Sequence, residues 1–300
     1  MAKKDITILS VSFNSSIHLK RLIDNFLLKS SHKENIKFLI IDNTGGKDKS
    51  LSILLNNPCQ IRILKIKNRF KQRSLSHASA LDFGLGHVDT QYTLIVDPDI
   101  HIFYKNWDEF CLEKMRGNYP TVLGAPYPQW KLGKVHDYPS VVFMFFKTNL
   151  VQSFGKTFYP FPKPHERLYN SILRKFVRLG GVANKSRLGQ SKKLRFICGW
   201  LEKKTGVTSP DTGKEIIDQF QKNRFRTIVF SSPFSQHLNN KDEQELKLLA
   251  RDFEIYIYNE KPFLSHMYSS GVYHWRTKRS SDLNYWLSLI KKVEKKIGKY

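Results

Sequence analysis

Over its first 150 residues the chain alternates short apolar runs with segments of helical periodicity. Four apolar runs are typical of buried strands and lie at 6–13, 36–41, 61–66 and from 92 onward. Between them, apolar residues recur every three to four positions at 17–28, 50–55 and 74–83, which indicates helices that bury one face. Strands that alternate with such helices favour parallel pairing through right-handed crossovers. We therefore predict an α/β fold with a mostly parallel central sheet flanked by helices.

Polar or acidic residues follow three of these predicted strands. Asn14 follows the first strand, Asp42 the second, and Asp97 and Asp99 the fourth. In open parallel sheets ligands bind beyond the carboxyl ends of the strands. Side chains two positions apart in an extended segment point the same way, so Asp97 and Asp99 would project together. Such a carboxylate pair suits Mg²⁺ or Mn²⁺ shared with substrate phosphates, and the alternative interpretation is an ordinary Asp-Pro turn.

The later chain suggests three segments in all. We predict an α/β core at 1–150, a basic, partly helical insertion or loop at 151–205, and a third segment that ends in a C-terminal helix at 206–300. An apolar run at 141–146 indicates a further buried strand, and 214–220 has helical periodicity. The paired glycines at 180–181 and the small polar residues of 184–191 predict a loop.

A large excess of positive charge indicates a polyanionic neighbour. The chain has 50 Lys+Arg against 26 Asp+Glu, a net charge of +24. Within 156–204, cations alternate with apolar residues at helical spacing, which fits either an interfacial helix on an anionic membrane or a packed helix with a solvated basic face. No apolar run approaches the roughly 18 to 20 residues that span a bilayer, and no signal-peptide core is present. We expect a cytoplasmic protein, peripheral on the inner membrane face.

The three cysteines are far apart and lack CxxC spacing, so neither a disulfide framework nor a zinc site is indicated. No GxxxxGK[ST] segment occurs, which argues against a P-loop phosphotransferase. No QxxRW-like segment occurs either, which argues against a processive polysaccharide synthase.

The order of the segments ITILSVSFNSS, FLIIDNTGG and YTLIVDPDI resembles the inverting nucleotide-sugar glycosyltransferases with the GT-A fold (family 2-like). The resemblance covers about residues 5–150 well and the later chain only in patches. It implies that 1–150 is the nucleotide-sugar-binding GT-A core and that 206–300 is the acceptor and base region. It implies metal-dependent transfer of a sugar from a nucleotide-diphosphate-sugar to an acceptor hydroxyl with inversion, in cell-surface glycan or glycoconjugate synthesis. The implied partners are that donor, a glycan or lipid-linked acceptor and an anionic membrane surface.

The resemblance also implies roles for individual residues. Asp99 would ligate the metal that bridges the diphosphate, and Asp97 would lie near the ribose or the metal. Asp42 would contact the base or ribose. The nucleotide pocket would be lined by Ser12, Phe13 and Asn14.

Inverting transfer needs a carboxylate that removes the acceptor proton. Asp211, in the segment Ser-Pro-Asp-Thr-Gly before the predicted helix at 214–220, resembles the base of the family's second acidic motif, and the alternative is that Asp211 caps that helix. The sequence departs from the family in having Pro210 where a second acid often lies. The family also often has a late histidine that binds metal or diphosphate, and either His266 or His274 fits that position. An imidazole ligand suits Mn²⁺ better than Mg²⁺.

Two other functions are compatible with parts of the sequence. A nucleic-acid-binding protein would account for the charge and the aromatic-basic pattern, but it would leave the strand-end acids repelling phosphate. A nucleotidyltransferase on a similar α/β scaffold would share the paired acids but release pyrophosphate. Analysis of the reaction products separates the three hypotheses.

Overall fold

The computed structural model describes residues 5–57, 59–67, 69–160, 164–238, 244–267 and 282–297. The chain divides into two units. Unit 1 comprises Met1–Ala125, Asp137–Pro160 and Thr212–Val229, and unit 2 comprises Pro126–His136, Phe161–Asp211 and Phe230–Tyr300. Neither unit is therefore one continuous stretch of chain.

The strands of unit 1 within the described residues are β1 (Ile6–Ser12), β2 (Ile36–Asp42), β3 (Gln60–Lys65), β4 (Tyr92–Val96), β5 (Ile100–Ile102), β6 (Thr121–Pro126), β7 (Pro139–Lys147) and β8 (Arg226–Val229). Seven of them form one sheet in the order β3-β2-β1-β4-β7-β6-β8. Strands β3, β2, β1 and β4 pair in parallel, β7 is antiparallel to β4, and β8 is parallel to β6. The predicted α/β class with a mostly parallel central sheet is confirmed.

The described helices are α1 (Ser16–Lys29), α2 (Arg73–Leu85), α3 (Trp107–Lys114), α4 (Thr148–Gln152), α5 (Pro164–Val177), α6 (Lys185–Gln190), α7 (Lys192–Thr205), α8 (Lys214–Lys222), α9 (Gln244–Asp252) and α10 (Leu283–Ile297). Short 3₁₀ helices lie at Lys33–Asn35, Lys49–Asn56, Leu179–Gly181 and Ser235–His237. The helices predicted at 17–28, 74–83 and 214–220 are confirmed as α1, α2 and α8. The segment at 50–55 is helical but of the 3₁₀ type.

The burial of the strands explains why they read as unbroken apolar runs. Every residue of β1 and β4 is buried, and β7 is buried up to its last residue, because helices cover both faces of a parallel sheet. Strand β3 alternates exposed and half-buried residues, as its edge position requires. Helix α2 packs closely on β1 because position 84 is glycine: a Cβ there would lie 2.5 Å from Leu9 Cδ1.

Unit 2 combines helices α5, α6 and α7 with an antiparallel pair of strands, β9 (Glu254–Tyr258) and β10 (Lys261–His266). Buried residues of α5 and α7 share one apolar core, to which Val177, Cys198 and Leu201 contribute. The loop predicted over 184–191 is wrong for most of its length, because the Asn184 side chain accepts a hydrogen bond from Arg187 N (3.0 Å) and caps α6. No helix among the described residues is long and apolar enough to cross a membrane.

One carboxyl group in unit 1 gives a testable dependence of stability on pH. Asp82 Oδ1 accepts a hydrogen bond from Phe158 N at 2.8 Å. Burial raises the pKa of Asp82 from 3.8 to about 6, opposed by this hydrogen bond and supported by the negative charge of Glu215. Between about pH 4 and pH 6 the folded state therefore binds more protons than the unfolded state, so this group's contribution to stability is lost as the pH rises through about 6.

We expect Asp82→Asn to raise the free energy of unfolding by about 1–2 kcal/mol at pH 8 and to change it little at pH 4. Asparagine keeps the acceptor oxygen for Phe158 N and removes the ionisation. Urea unfolding at the two pH values measures the difference. Asp89→Asn is the matched control, because the ammonium of Lys37 lowers the pKa of that exposed carboxyl and the substitution should not stabilise the protein at pH 8. Equal effects of the two substitutions would contradict the assignment.

Candidate functional site

The predicted polar strand ends lie side by side at one edge of the unit 1 sheet. Ser12 at the end of β1 is in register with Asp42 at the end of β2, and Asn43 N donates to Ser12 O at 3.0 Å. On the other side of β1, Leu9 is in register with Ile95 of β4. The segments that follow β1, β2 and β4 therefore meet at the carboxyl edge, where open α/β sheets bind ligands.

The two carboxylates after β4 are close enough to share one cation. A carboxylate oxygen of Asp97 lies within 4.8 Å of one of Asp99. Asp99 is buried and Asp97 is half-buried. Asp97 N donates to Val142 O at 3.3 Å, which ties the turn to β7. Paired carboxylate oxygens are the donor type that Mg²⁺ and Mn²⁺ accept, so these two residues fit a divalent cation.

Cationic and imidazole side chains from α1 and α2 surround this pair. Arg21 Nη2 donates to Ile100 O at 2.6 Å. Burial lowers the pKa of Arg21 to about 10, and the charge of Asp99 partly offsets that effect. The pKa of His18 is lowered by burial, opposed by Asp99 and assisted by Arg21. His77 Nε2 lies 3.9 Å from Asp97 Oδ1.

No motif in the sequence identifies these three residues. His18 and Arg21 are three positions apart, a spacing that puts both on one face of α1, and this was the only signal in the sequence. The proximity of His18 and Arg21 to Asp99 depends on where α1 packs against the sheet. Within unit 1 the guanidinium of Arg21 places a positive charge near Asp99, which favours an anionic ligand such as a diphosphate.

The segment after β1 presents both polar and aromatic groups. Ser12 is buried, and its Oγ accepts from Ser15 N at 3.3 Å. Asn14 has a φ of 55°, in the left-handed region that asparagine tolerates better than most residues. Phe13 is 45% exposed, so its ring is available to a ligand at this edge.

Asp42 organises the segment that follows β2. Its Oδ1 accepts from Thr44 N (2.9 Å) and Thr44 Oγ1 (2.6 Å), and its Oδ2 accepts from Gly46 N (2.9 Å). The carboxylate is buried and shapes a tight turn at the sheet edge. The predicted contact of Asp42 with a base or ribose would be made alongside these three hydrogen bonds.

In unit 2, Asp211 pairs with a lysine. Lys134 Nζ donates to Asp211 Oδ2 at 2.5 Å, and the Asp211 side chain is 33% exposed. Asp211 is not the N-cap residue of the following helix, because Gly213 occupies that position at the start of α8. The Asp211 carboxylate is therefore held in place by a cation and is still accessible. Lys134 lies far from Asp211 in sequence, and no pattern pointed to it.

His266, the candidate metal ligand that lies within the described residues, belongs to a buried polar cluster of unit 2. His266 Nδ1 and the Tyr256 hydroxyl both contact Glu254 Oε2, at 2.9 and 3.0 Å. The Lys131 ammonium lies 2.6 Å from Glu254 Oε1. Because Nδ1 faces this carboxylate, Nε2 is the atom of His266 suited to a metal ion. The other candidate, His274, lies outside the described residues.

Comparison with solved structures finds partial likeness to a mannosyltransferase and to TarS, among other chains. The mannosyltransferase PcManGT from Pyrobaculum calidifontis, solved in complex with GDP-Man and Mn²⁺, is 13% identical with a TM-score of 0.42, over 52% of this chain and 48% of that one. TarS 1-349 of S. aureus, solved in complex with UDP-GlcNAc, is 15% identical with a TM-score of 0.39, over 52% of this chain and 48% of that one.

The chain thus spans about half the length of these two structures. At such identity and overlap the likeness assigns neither activity nor substrate. No protein-family model matches the sequence, and no curated protein sequence matches it. The hypothesis about function therefore depends on the residues at the sheet edge and in unit 2.

Proposed function

We propose that the protein is a metal-dependent glycosyltransferase that moves a sugar from a nucleotide-diphosphate-sugar to an acceptor hydroxyl with inversion. The observation that carries the proposal is the Asp97–Asp99 carboxylate pair at the carboxyl edge of a parallel sheet. The positive charge of Arg21 on α1 near Asp99 supports it, because a diphosphate needs both a cation and a neutralising side chain. Synthesis of a cell-surface glycan or glycoconjugate, with a glycan or lipid-linked acceptor, is the setting we propose.

The donor's nucleotide would lie over the segments after β1 and β2. The exposed ring of Phe13 offers a flat apolar surface to the base. Ser12 and Asn14 would contribute polar groups beside it, and the turn that Asp42 organises would border the base or ribose. A divalent cation on Asp97 and Asp99 would supply charge neutralisation of the leaving diphosphate.

We assign His266 as the third metal ligand. The cluster around its ring supports the assignment, because metal-binding histidines commonly donate their other N–H to a carboxylate. Glu254 is placed to hold the ring and its tautomer through Nδ1, and Lys131 balances the buried negative charge. A set of two carboxylates and one imidazole suits Mn²⁺ more than Mg²⁺.

Asp211 is the proposed general base. Its carboxylate would take the proton of the acceptor hydroxyl as the acceptor oxygen forms a bond to the anomeric carbon. The bond from that carbon to the diphosphate oxygen breaks in the same displacement, and the nucleoside diphosphate leaves from the opposite face. Lys134 would keep the Asp211 carboxylate oriented during the reaction.

A positioning role for Glu254 predicts a separable effect on metal binding. Glu254→Gln leaves the Lys131 ammonium buried without its anion, so we expect the free energy of unfolding to fall by about 3 kcal/mol. We also expect the apparent Mn²⁺ affinity to fall about 10- to 100-fold, because the His266 ring loses its carboxylate partner. Denaturant unfolding and Mn²⁺ titration measure the two effects. Tyr256→Phe is the control, since it removes one hydrogen bond to Glu254 and leaves the contact between Glu254 and His266. An unchanged Mn²⁺ affinity in Glu254→Gln would contradict the positioning role of Glu254.

The identity of the released nucleotide tests the proposed activity. The protein is incubated with UDP-, GDP- and dTDP-sugars, a panel of glycan and lipid-linked acceptors, and Mn²⁺, and in parallel with nucleoside triphosphates in place of the sugar nucleotides. Release of a nucleoside diphosphate from one donor that depends on acceptor supports the proposal. Release of pyrophosphate from a nucleoside triphosphate would identify a nucleotidyltransferase, and release of neither product would support a binding protein.

A further inference from the structure

Helices α5 and α7 expose an unusual number of large apolar side chains. Of the 14 such side chains exposed in the described residues, eight lie within 168–200. On α5 they are Leu168, Tyr169, Ile172 and Phe176, and on α7 they are Phe196, Ile197 and Trp200. These seven residues form what we name the α5/α7 surface. Leu168 is 71% exposed and Phe196 is 76% exposed, so these residues are not the margins of a core.

The α5/α7 surface lies on the outer sides of two helices that pack together inside unit 2. Residues 168, 172 and 176 are four positions apart and share one side of α5, and 196 and 200 share one side of α7. The inner sides of the two helices contribute Val177, Cys198 and Leu201 to a common core. The inner sides of α5 and α7 therefore supply the residues of this core. The apolar residues on the outer sides are not needed for core packing.

Exposed lysines accompany the apolar residues of α7 on this surface. Lys193, Lys203 and Lys204 are exposed and lie on α7 on the side that carries Phe196 and Trp200. The segment 156–204 contains only two acids, and one of them, Glu202, accepts a hydrogen bond from His136 Nε2 at 3.2 Å. Not every cation of this region is part of the surface: Lys185 donates to Phe253 O at 2.7 Å and serves packing within unit 2.

We propose that the α5/α7 surface binds the headgroup region of an anionic lipid bilayer. Exposed apolar side chains gain free energy by entering the acyl boundary, while the flanking lysines attract acidic headgroups. Tyr169 and Trp200 are residue types that favour this boundary, because one end of each ring system is polar. A nucleic acid fits the lysines but not Leu168 and Ile172, which have no π-face to stack on a base. This inference does not depend on the proposed activity.

Co-sedimentation of the full chain with vesicles tests the inference. One set of vesicles is pure phosphatidylcholine, and the other contains one third phosphatidylglycerol. An apolar variant and a charge variant each change three exposed residues: Leu168→Ser/Phe196→Ser/Trp200→Ser and Lys193→Gln/Lys203→Gln/Lys204→Gln. We expect the parent to bind the anionic vesicles and each variant to bind them more than about tenfold more weakly.

Matched controls change residues of similar exposure in unit 1. They are Leu28→Ser/Leu55→Ser/Tyr119→Ser for the apolar variant and Lys33→Gln/Lys47→Gln/Lys49→Gln for the charge variant. Both controls should bind anionic vesicles within about twofold of the parent if the α5/α7 surface makes the contact. Circular dichroism and thermal unfolding of all four variants establish that they are folded, as expected for exposed positions.

Four results would overturn the inference. The first is a parent protein that does not sediment with anionic vesicles, and the second is variants that bind as tightly as the parent. The third is a charge variant that loses salt-sensitive binding to single-stranded oligonucleotides while its vesicle binding is unchanged, which would identify the surface as a nucleic-acid site. Conversion of a parent dimer into a monomer by the apolar variant, without loss of vesicle binding, would assign the surface to self-association instead.

Discussion

Asp99→Asn is expected to reduce sugar transfer by about 10³-fold or more. The substitution keeps the size and one oxygen of the side chain but removes a negative charge from the pair with Asp97. Because that pair is proposed to hold the cation on the diphosphate, the variant loses both cation affinity and stabilisation of the leaving group. The rate of acceptor-dependent nucleoside diphosphate release at saturating donor, over a range of Mn²⁺ concentrations, measures the loss.

The control for this substitution is Asp24→Asn. Asp24 is an exposed carboxylate of unit 1 that pairs with Lys20 at 2.8 Å and lies on α1, outside the proposed site. Its replacement should leave the rate within about twofold of the parent. An Asp99→Asn variant that is folded and transfers sugar at the parental rate would show that this carboxylate does not bind the catalytic cation.

Asp211→Asn is expected to lower the transfer rate by about 10³-fold while leaving donor binding unchanged. An amide cannot take the acceptor proton, but it preserves the size of the side chain. Because Asp211 is proposed to act on the acceptor, stabilisation of the protein by donor and Mn²⁺ should equal that of the parent. Combined measurement of turnover and donor affinity therefore distinguishes the loss of a base from a general disruption of the site.

Two further variants serve as a control and as a comparison for the Asp211→Asn prediction. Asp218→Asn changes a half-exposed carboxylate of α8 that pairs with Lys214, and it should have little effect on turnover. Lys134→Met removes the hydrogen bond that orients Asp211, so we expect a smaller loss, of about tenfold, than removal of the base itself. Loss of donor binding in Asp211→Asn would contradict the proposed division of roles.

The sequence predicted the part of the molecule whose structure is set by local pattern. The strands and helices around the sheet follow from apolar periodicity, and the meeting of Ser12, Asp42 and the Asp97–Asp99 pair follows from parallel pairing, which brings carboxyl ends to one edge. Segment 184–191 was misassigned to a loop because one side-chain cap, made by Asn184, decides whether so short a segment is helical.

The residues that surround the proposed ligands could not be predicted in the same way. Glu254 reaches His266 from an adjacent antiparallel strand, and Lys134 reaches Asp211 across 77 positions of sequence. Such contacts depend on how elements pack in three dimensions, and neither carboxylate has a local motif that identifies its partner. The exposure of Phe196 and Trp200 could not be predicted from the sequence either, because helical spacing alone does not say which side of a helix faces the core.

Thermal unfolding of the parent and of Asp99→Asn with UDP-, GDP- and dTDP-sugars, each with and without Mn²⁺, tests metal-dependent binding of the donor at the Asp97–Asp99 pair. A ligand that binds only the folded protein raises its apparent stability. A CMP-linked sugar, which carries one phosphate, serves as the internal control for diphosphate recognition. We expect one diphosphate class to stabilise the parent only when Mn²⁺ is present and not to stabilise Asp99→Asn. Absence of a shift with every sugar nucleotide, together with a salt-sensitive shift with oligonucleotides, would contradict this expectation.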